Sequence, residues 1–207
     1  MVEQTADATP WAGRDARARE RAAKREAVLR TAAQFFNARG FHATSLDDVA
    51  AALNVTKPTI YHYFASKDEI LFECTRRGLD NIAGAARDAA LRGGSGADRL
   101  RQMLTAYAHV IVADYGICVA RTQDHQLSPE SSARFRALKR EIDGLIRQVI
   151  AEGAADGSLE VRDLRIAAFT LTGALNGLAN WFDPAGPASA DQVIEATVAT
   201  LMDGMLP

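Results

Sequence analysis

Between Thr44 and Leu71 the chain reads TSLDDVAAALNVTKPTIYHYFASKDEIL, two short helical patterns joined by a tight turn. Thr44 or Ser45 can cap a first helix in which Leu46, Val49, Ala50 and Leu53 recur at spacings of three and four. Asp47 or Asp48 supplies the reciprocal carboxylate of a capping box. Asn54 tolerates the left-handed backbone that a helix end needs, Val55 is expected to plug the core, and Thr56 to cap the next helix. From Lys57 that helix carries Thr59, Tyr61, His62 and Tyr63, with Ile60 and Phe64 turned toward the first helix and Pro58 tolerated in the first turn. The pattern is a helix-turn-helix.

The segment before it, Val28-Leu29-x-x-Ala32-Ala33-x-Phe35-Phe36, is helical by spacing and ends at Gly40-Phe41. The segment after it reads Ile60-Tyr61-x-Tyr63-Phe64-x-Ser66-Lys67-Asp68-x-Ile70-Leu71, with Ser66-x-x-Glu69 as a further helix start. Together, over about residues 22–82, these resemble the DNA-binding domain of TetR-like transcriptional regulators, with Leu53-Asn54 where that family usually has Ala-Gly. The resemblance implies a three-helix DNA-binding domain, a larger helical effector-binding and dimerisation domain, and a homodimer gripping successive major grooves of a near-palindromic operator. It also implies that a small hydrophobic ligand in the second domain alters the spacing of the two readers.

The chemistry of the residues assigns roles within that frame. Lys57 suits phosphates or guanine acceptors, Thr59 and His62 suit base edges, and the hydroxyls of Tyr61 and Tyr63 suit phosphate oxygens. Tyr63 can equally pack on the first helix of the motif. Thr44, Ser45 and Thr56 can bring hydroxyls and helix-start amides to phosphates, Pro58 sits among them, and Lys67 adds a charge at the next helix start.

Charge is distributed to match. Residues 1–66 carry a net charge of +2 in a chain of net −2, and residues 14–30 hold seven Lys or Arg against three Asp or Glu. Collective phosphate neutralisation favours these cations as DNA contacts; a solvated helix face is the alternative. Residues 1–21 read as a basic arm without fixed structure, 22–82 as the DNA-binding domain and 83–207 as the effector and dimer domain. No run approaches eighteen apolar residues and no apolar segment follows an N-terminal cation, so neither a membrane partner nor a signal peptide is expected, and the cytoplasm is the expected compartment. Cys74 and Cys118 lack metal or CxxC spacing and read as two buried thiols, a redox pair being the alternative.

The remainder is helical, giving an all-α fold without the period-two alternation of strands. Helices are expected over Lys67 to about Leu91, Asp98–Asp114, about Gly116–Gln126, Ser128 to about Ala155, about Arg162–Phe182 and about Ala190–Met205. In the last two, Leu171, Ala174, Gly177, Leu178, Val193, Thr197 and Leu201 form small and apolar faces that suit a dimer interface, a monomer core being the alternative. The resemblance implies dimerisation through these two helices as a four-helix bundle.

Catalysis finds no constellation. His42, His62, His109 and His125 form no HExxH, there is no GxSxG or phosphate loop, and Asp124-His125 point about 100° apart on a helix, so no enzyme activity, cofactor or metal is expected. An effector-independent DNA-binding structural protein is the other alternative; it would not need so long a helical region after its reader. The segment Trp181 to Val193 is similar to the C-terminal part of TetR-like members that control fatty-acid or sterol breakdown and sense acyl-CoA thioesters. On that resemblance Met103, Tyr107, Phe169, Leu175 and Trp181 are candidate pocket walls, and Arg121, Arg134, Arg136, Lys139 and Arg140 candidate phosphate partners.

Overall fold

The computed structural model describes residues 12–206. Among them run nine α-helices: α1 (Ala12–Arg39), α2 (Leu46–Ala52), α3 (Lys57–Tyr61), α4 (Lys67–Ala90), α5 (Gly96–Ile111), α6 (Asp114–Arg121), α7 (Pro129–Ala155), α8 (Leu164–Trp181) and α9 (Ala190–Asp203). A single 3-10 turn, Asp124–Gln126, stands between α6 and α7. No strand occurs among the described residues, as expected for an all-α chain, and no single helix there is long and apolar enough to cross a membrane.

Local chemistry sets most boundaries. Ser66, Ser95, Ser128 and Ser189 each accept a backbone N–H three residues on, starting α4, α5, α7 and α9. The Ser128-Pro129 start lies where the sequence places it, whereas α5 starts at Gly96, two residues earlier than expected, because Ser95 and Asp98 complete a capping box. The N-terminus differs more. Residues 12–21, read from the sequence as part of an arm without fixed structure, are the first turns of α1; residues 1–11 of that arm lie outside the described residues.

Two packing units share α4. α1 packs on α2, α4 and α6, and α2 carries α3; buried Leu29, Ala32, Val49, Ile60, Phe64 and Ile70 make this small core. Beyond it α4 lies against α5, α6 and α7, while α5 also supports α8 and α9, around Leu100, Leu104, Phe135, Ile146, Leu175 and Met202. Glycines allow the closest approaches. A Cβ on Gly116 would stand 1.8 Å from the Val110 carbonyl oxygen, and one on Gly78 would stand 2.6 Å from that of Tyr115, so α6 lies directly on α4 and on the end of α5. Backbone cannot retreat as a side chain can. Gly116→Val should therefore destabilise the fold by about 3 kcal/mol, read as a lower urea midpoint; an unchanged midpoint would contradict the close packing of α6.

Candidate nucleic-acid interface and effector cavity

The reading motif is held by one cap and one left-handed residue. Ser45 accepts the Asp48 N–H at 3.1 Å, and its hydroxyl and backbone N–H both donate to Asp48 Oδ2, at 2.9 Å and 3.2 Å; these last two bonds hold the Asp48 carboxyl below the ordinary range. Asn54 adopts φ +53°, turning the chain so that the Val55 N–H donates to the Ala50 carbonyl at 3.0 Å. Val55, expected in the core, is instead 38% exposed, because that turn ends α2 with its side chain outward. Within α3 only Ile60 is buried, and Phe64 just beyond fixes it to the domain. Thr56, Pro58, Thr59, Tyr61 and His62 are exposed along one short helix, with Lys57 and Tyr63 half-buried.

Several of the expected DNA contacts have partners within the chain. Thr44 is buried, and its hydroxyl donates to the Gly40 carbonyl at 2.9 Å, closing the end of α1. Lys67 sits 4.3 Å from the centre of the Phe41 ring, and burial pulls its ammonium below the ordinary lysine range, so it anchors α4 to the α1 end. Thr56 precedes α3 but caps no amide; its hydroxyl lies 3.0 Å from that of Thr59. Lys57 is paired with Asp47 at 2.9 Å. Both are solvated, so the pair opens readily toward a phosphate, but Asp47 leaves a negative charge on the reading face.

The second domain contains a cavity of about 460 Å³ between α5, α6, α7 and α8. Tyr107 and Phe169 line it. Met103 and Leu175 are packed in the core without lining it, and Trp181, at 59% exposure, is on the outer surface near the end of α8. The wall that the sequence reading missed is Thr172, Gly173 and Asn176 of α8 with Val119 and Ala120 of α6. Thr172 and Asn176, four apart on α8, were its available signal. Tyr107 donates to Asn176 Oδ1 at 3.0 Å, and burial pushes the tyrosine up to about 12, keeping it a neutral donor. Arg136, Lys139 and Arg140 line the α7 side together with Asp143, which is held by Arg147. Arg134 instead lies over Phe72 at 4.4 Å.

Arg121 is not in this cavity. Its guanidinium donates at 2.7 Å to the carbonyl of Asn37 near the end of α1, and also to the carbonyl of Ala179 near the end of α8. Both acceptors are among the last carbonyls of a helix, which lack intrahelical partners. The same junction carries Asn37 donating to the Asp114 carbonyl at 2.9 Å and Tyr115 donating to Glu26 at 2.7 Å, where burial and the Glu26 carboxylate push the tyrosine up. Cys74 and Cys118 are both buried free thiols here, and burial pushes Cys74 up.

Of the residues expected at an interface, Leu171 and Leu178 are buried within the chain's own core, so they serve the monomer. Ala174, Gly177, Val193, Thr197 and Leu201 are partly exposed, and α8 also presents Ile166 and Trp181 outward.

These features match known proteins. The family model "Bacterial regulatory proteins, tetR family" matches residues 28–74, and "Tetracyclin repressor-like, C-terminal domain" matches 93–205, more than half of the chain. The chain belongs to the TetR family. It is a transcriptional regulator, as the family's members are, and not an enzyme. The HTH-type transcriptional repressor KstR2 of Rhodococcus jostii is 28% identical over 186 residues, 88% of this chain and 91% of that protein. A TetR/AcrR-family regulator from Thermobifida fusca YX-ER1 is 33% identical with a TM-score of 0.68, covering 87% of this chain and 97% of that one. A structure of AibR in complex with isovaleryl coenzyme A and operator DNA shares the fold, with a TM-score of 0.77 at 24% identity, over 86% of this chain and 97% of that one.

For this TetR-family chain the exposed row on α3 sets the expected DNA phenotypes. Lys57→Ala should weaken duplex binding and lower the salt slope by about 0.9, while His62→Ala should cost roughly 1–3 kcal/mol at one base position. Asp47→Asn should tighten binding several-fold by removing a like charge from the phosphate side. Fluorescence anisotropy at graded salt reads all three, and weaker binding by Asp47→Asn would contradict the geometry.

Proposed function

We propose that the protein is a homodimeric repressor that leaves a near-palindromic operator when an acyl-CoA thioester enters the α5–α8 cavity. The division into a reader at 22–82 and an effector and dimer domain at 83–207 belongs to that reading. The observation that carries it is the cavity: apolar at Val119 and Ala120 of α6 and at Phe169 of α8, with Arg136, Lys139 and Arg140 along α7 and the Tyr107–Asn176 pair inside. An apolar acyl group suits the first, an anionic phosphate the second and a thioester carbonyl the third. AibR, similar in fold, is described with both isovaleryl coenzyme A and operator DNA.

Release works as a population shift. A ligand that separates α6 from α8 bears on the Arg121 clamp and so on the end of α1, favouring an arrangement of readers that the operator does not fit. Two-fold DNA needs two readers, and the outward face of α8 with α9 supports the dimer. Gly177→Arg should give a folded monomer in sedimentation with poor operator affinity; a retained dimer would place the interface elsewhere.

The test of the ligand is a gel shift with CoA thioesters, the matching free acids and free CoA. Release by thioesters alone is expected, and equal release by free acids would return the α7 cations to a solvated role. Arg121→Gln should keep operator affinity within a few-fold while shrinking the ligand's effect toward none. An unaltered ligand effect would remove Arg121 from the coupling.

A further inference from the structure

The first turns of α1 are helix without a visible partner. From Asp15 to Lys24 every residue is exposed, a run of about 14 Å at the α-helical rise. The buried face of α1 begins only at Val28. Such a segment, polar on all sides, gains nothing from a core of its own, and isolated helices this short are marginal in water. Its one described ion pair is internal, Lys24 to Glu20 at 2.6 Å.

Where it leaves the domain is informative. The Arg25 guanidinium lies 4.5 Å from the centre of the Phe64 ring. The extension therefore departs from the C-terminal edge of the α3 motif. At about 100° per residue, Arg17, Arg21 and Lys24 fall in one arc of about 60°, whereas Arg19 lies on the opposite side. Arg25, which lies over Phe64, follows Arg21 by about 40° on the same wheel, so Arg17 and Arg21 continue outward on the side of the reading motif.

We propose that this extension of α1 is a second DNA-contacting element, laying Arg17 and Arg21 on phosphates beside the stretch that α3 reads. Its occupant is duplex DNA because the arc is cationic, continuous with the α3 face and free of apolar side chains that would suit a protein groove. Its length spans about four base pairs of duplex. The inference rests on α3 being the reader, and its test separates the two.

Binding of the full-length protein to a generic 40-base-pair duplex is followed by anisotropy over graded sodium chloride. Arg17→Gln/Arg21→Gln should lower the slope of log K against log salt by about 1.8, about 0.9 for each phosphate released. Arg19→Gln, the same kind of change on the opposite side, should leave the slope within error. Gln keeps nearly the helix propensity of Arg, so circular dichroism should not change. A wild-type slope in the double variant overturns the proposal, as does an Arg19→Gln effect equal to that of either arc residue. If Lys57→Ala lowers the slope while the double variant does not, α3 remains the reader and only the extension is discarded. A wild-type protein that binds no duplex overturns both.

Discussion

The carbonyls near the C-terminal ends of α1 and α8 share one cation. Arg121 closes α6, and α6 touches α1, α4, α5 and α8. The DNA-facing domain thus has its position relative to the cavity set through an eight-residue helix whose own packing depends on Gly78 and Gly116. Each Arg121 bond satisfies an orphan helix-end acceptor and aligns a positive charge with the negative end of a helix dipole. Cavity wall and interdomain clamp are consecutive residues, Val119 and Ala120 facing the cavity and Arg121 the helix ends. A shape change at the wall therefore has a short covalent route to the reader.

The reading face follows a different economy of residues. A helix of five residues can bury little, and α3 buries only Ile60, with Phe64 after it as a second anchor. The remaining side chains are released to solvent and hence to a ligand. Asp47 on α2 pairs with Lys57 while both stay solvated, so exchanging it for another anion would cost little.

What could be read from the sequence was the chemistry that acts over a few residues. Ser128-Pro129, Ser189-x-x-Gln192, Asn54 and the Ile60–Phe64 pair are local signals, and each stands in the structure as read. Residues whose role depends on distant partners were misplaced. Arg121 finds acceptors 84 and 58 residues away, and Lys67 finds an aromatic ring from the end of α1. Periodicity showed that α8 is apolar but not which side meets its own core, so Leu171 and Leu178 were left between interface and core, and the resemblance that offered Trp181 as a cavity wall could not show its direction. The start of α1 was missed for the opposite reason. A helix polar on every face carries no periodic signal, and charge alone resembles an unstructured arm.

Reciprocity gives the most direct measurement. Calorimetric titration of acyl-CoA thioesters into the protein, free and saturated with operator, yields two affinities for each ligand. Thermodynamic linkage requires operator DNA to weaken thioester binding by the same factor by which the thioester weakens operator binding. Equal thioester affinity in the two states, or no thioester binding at all, would contradict a cavity coupled to the reading helices.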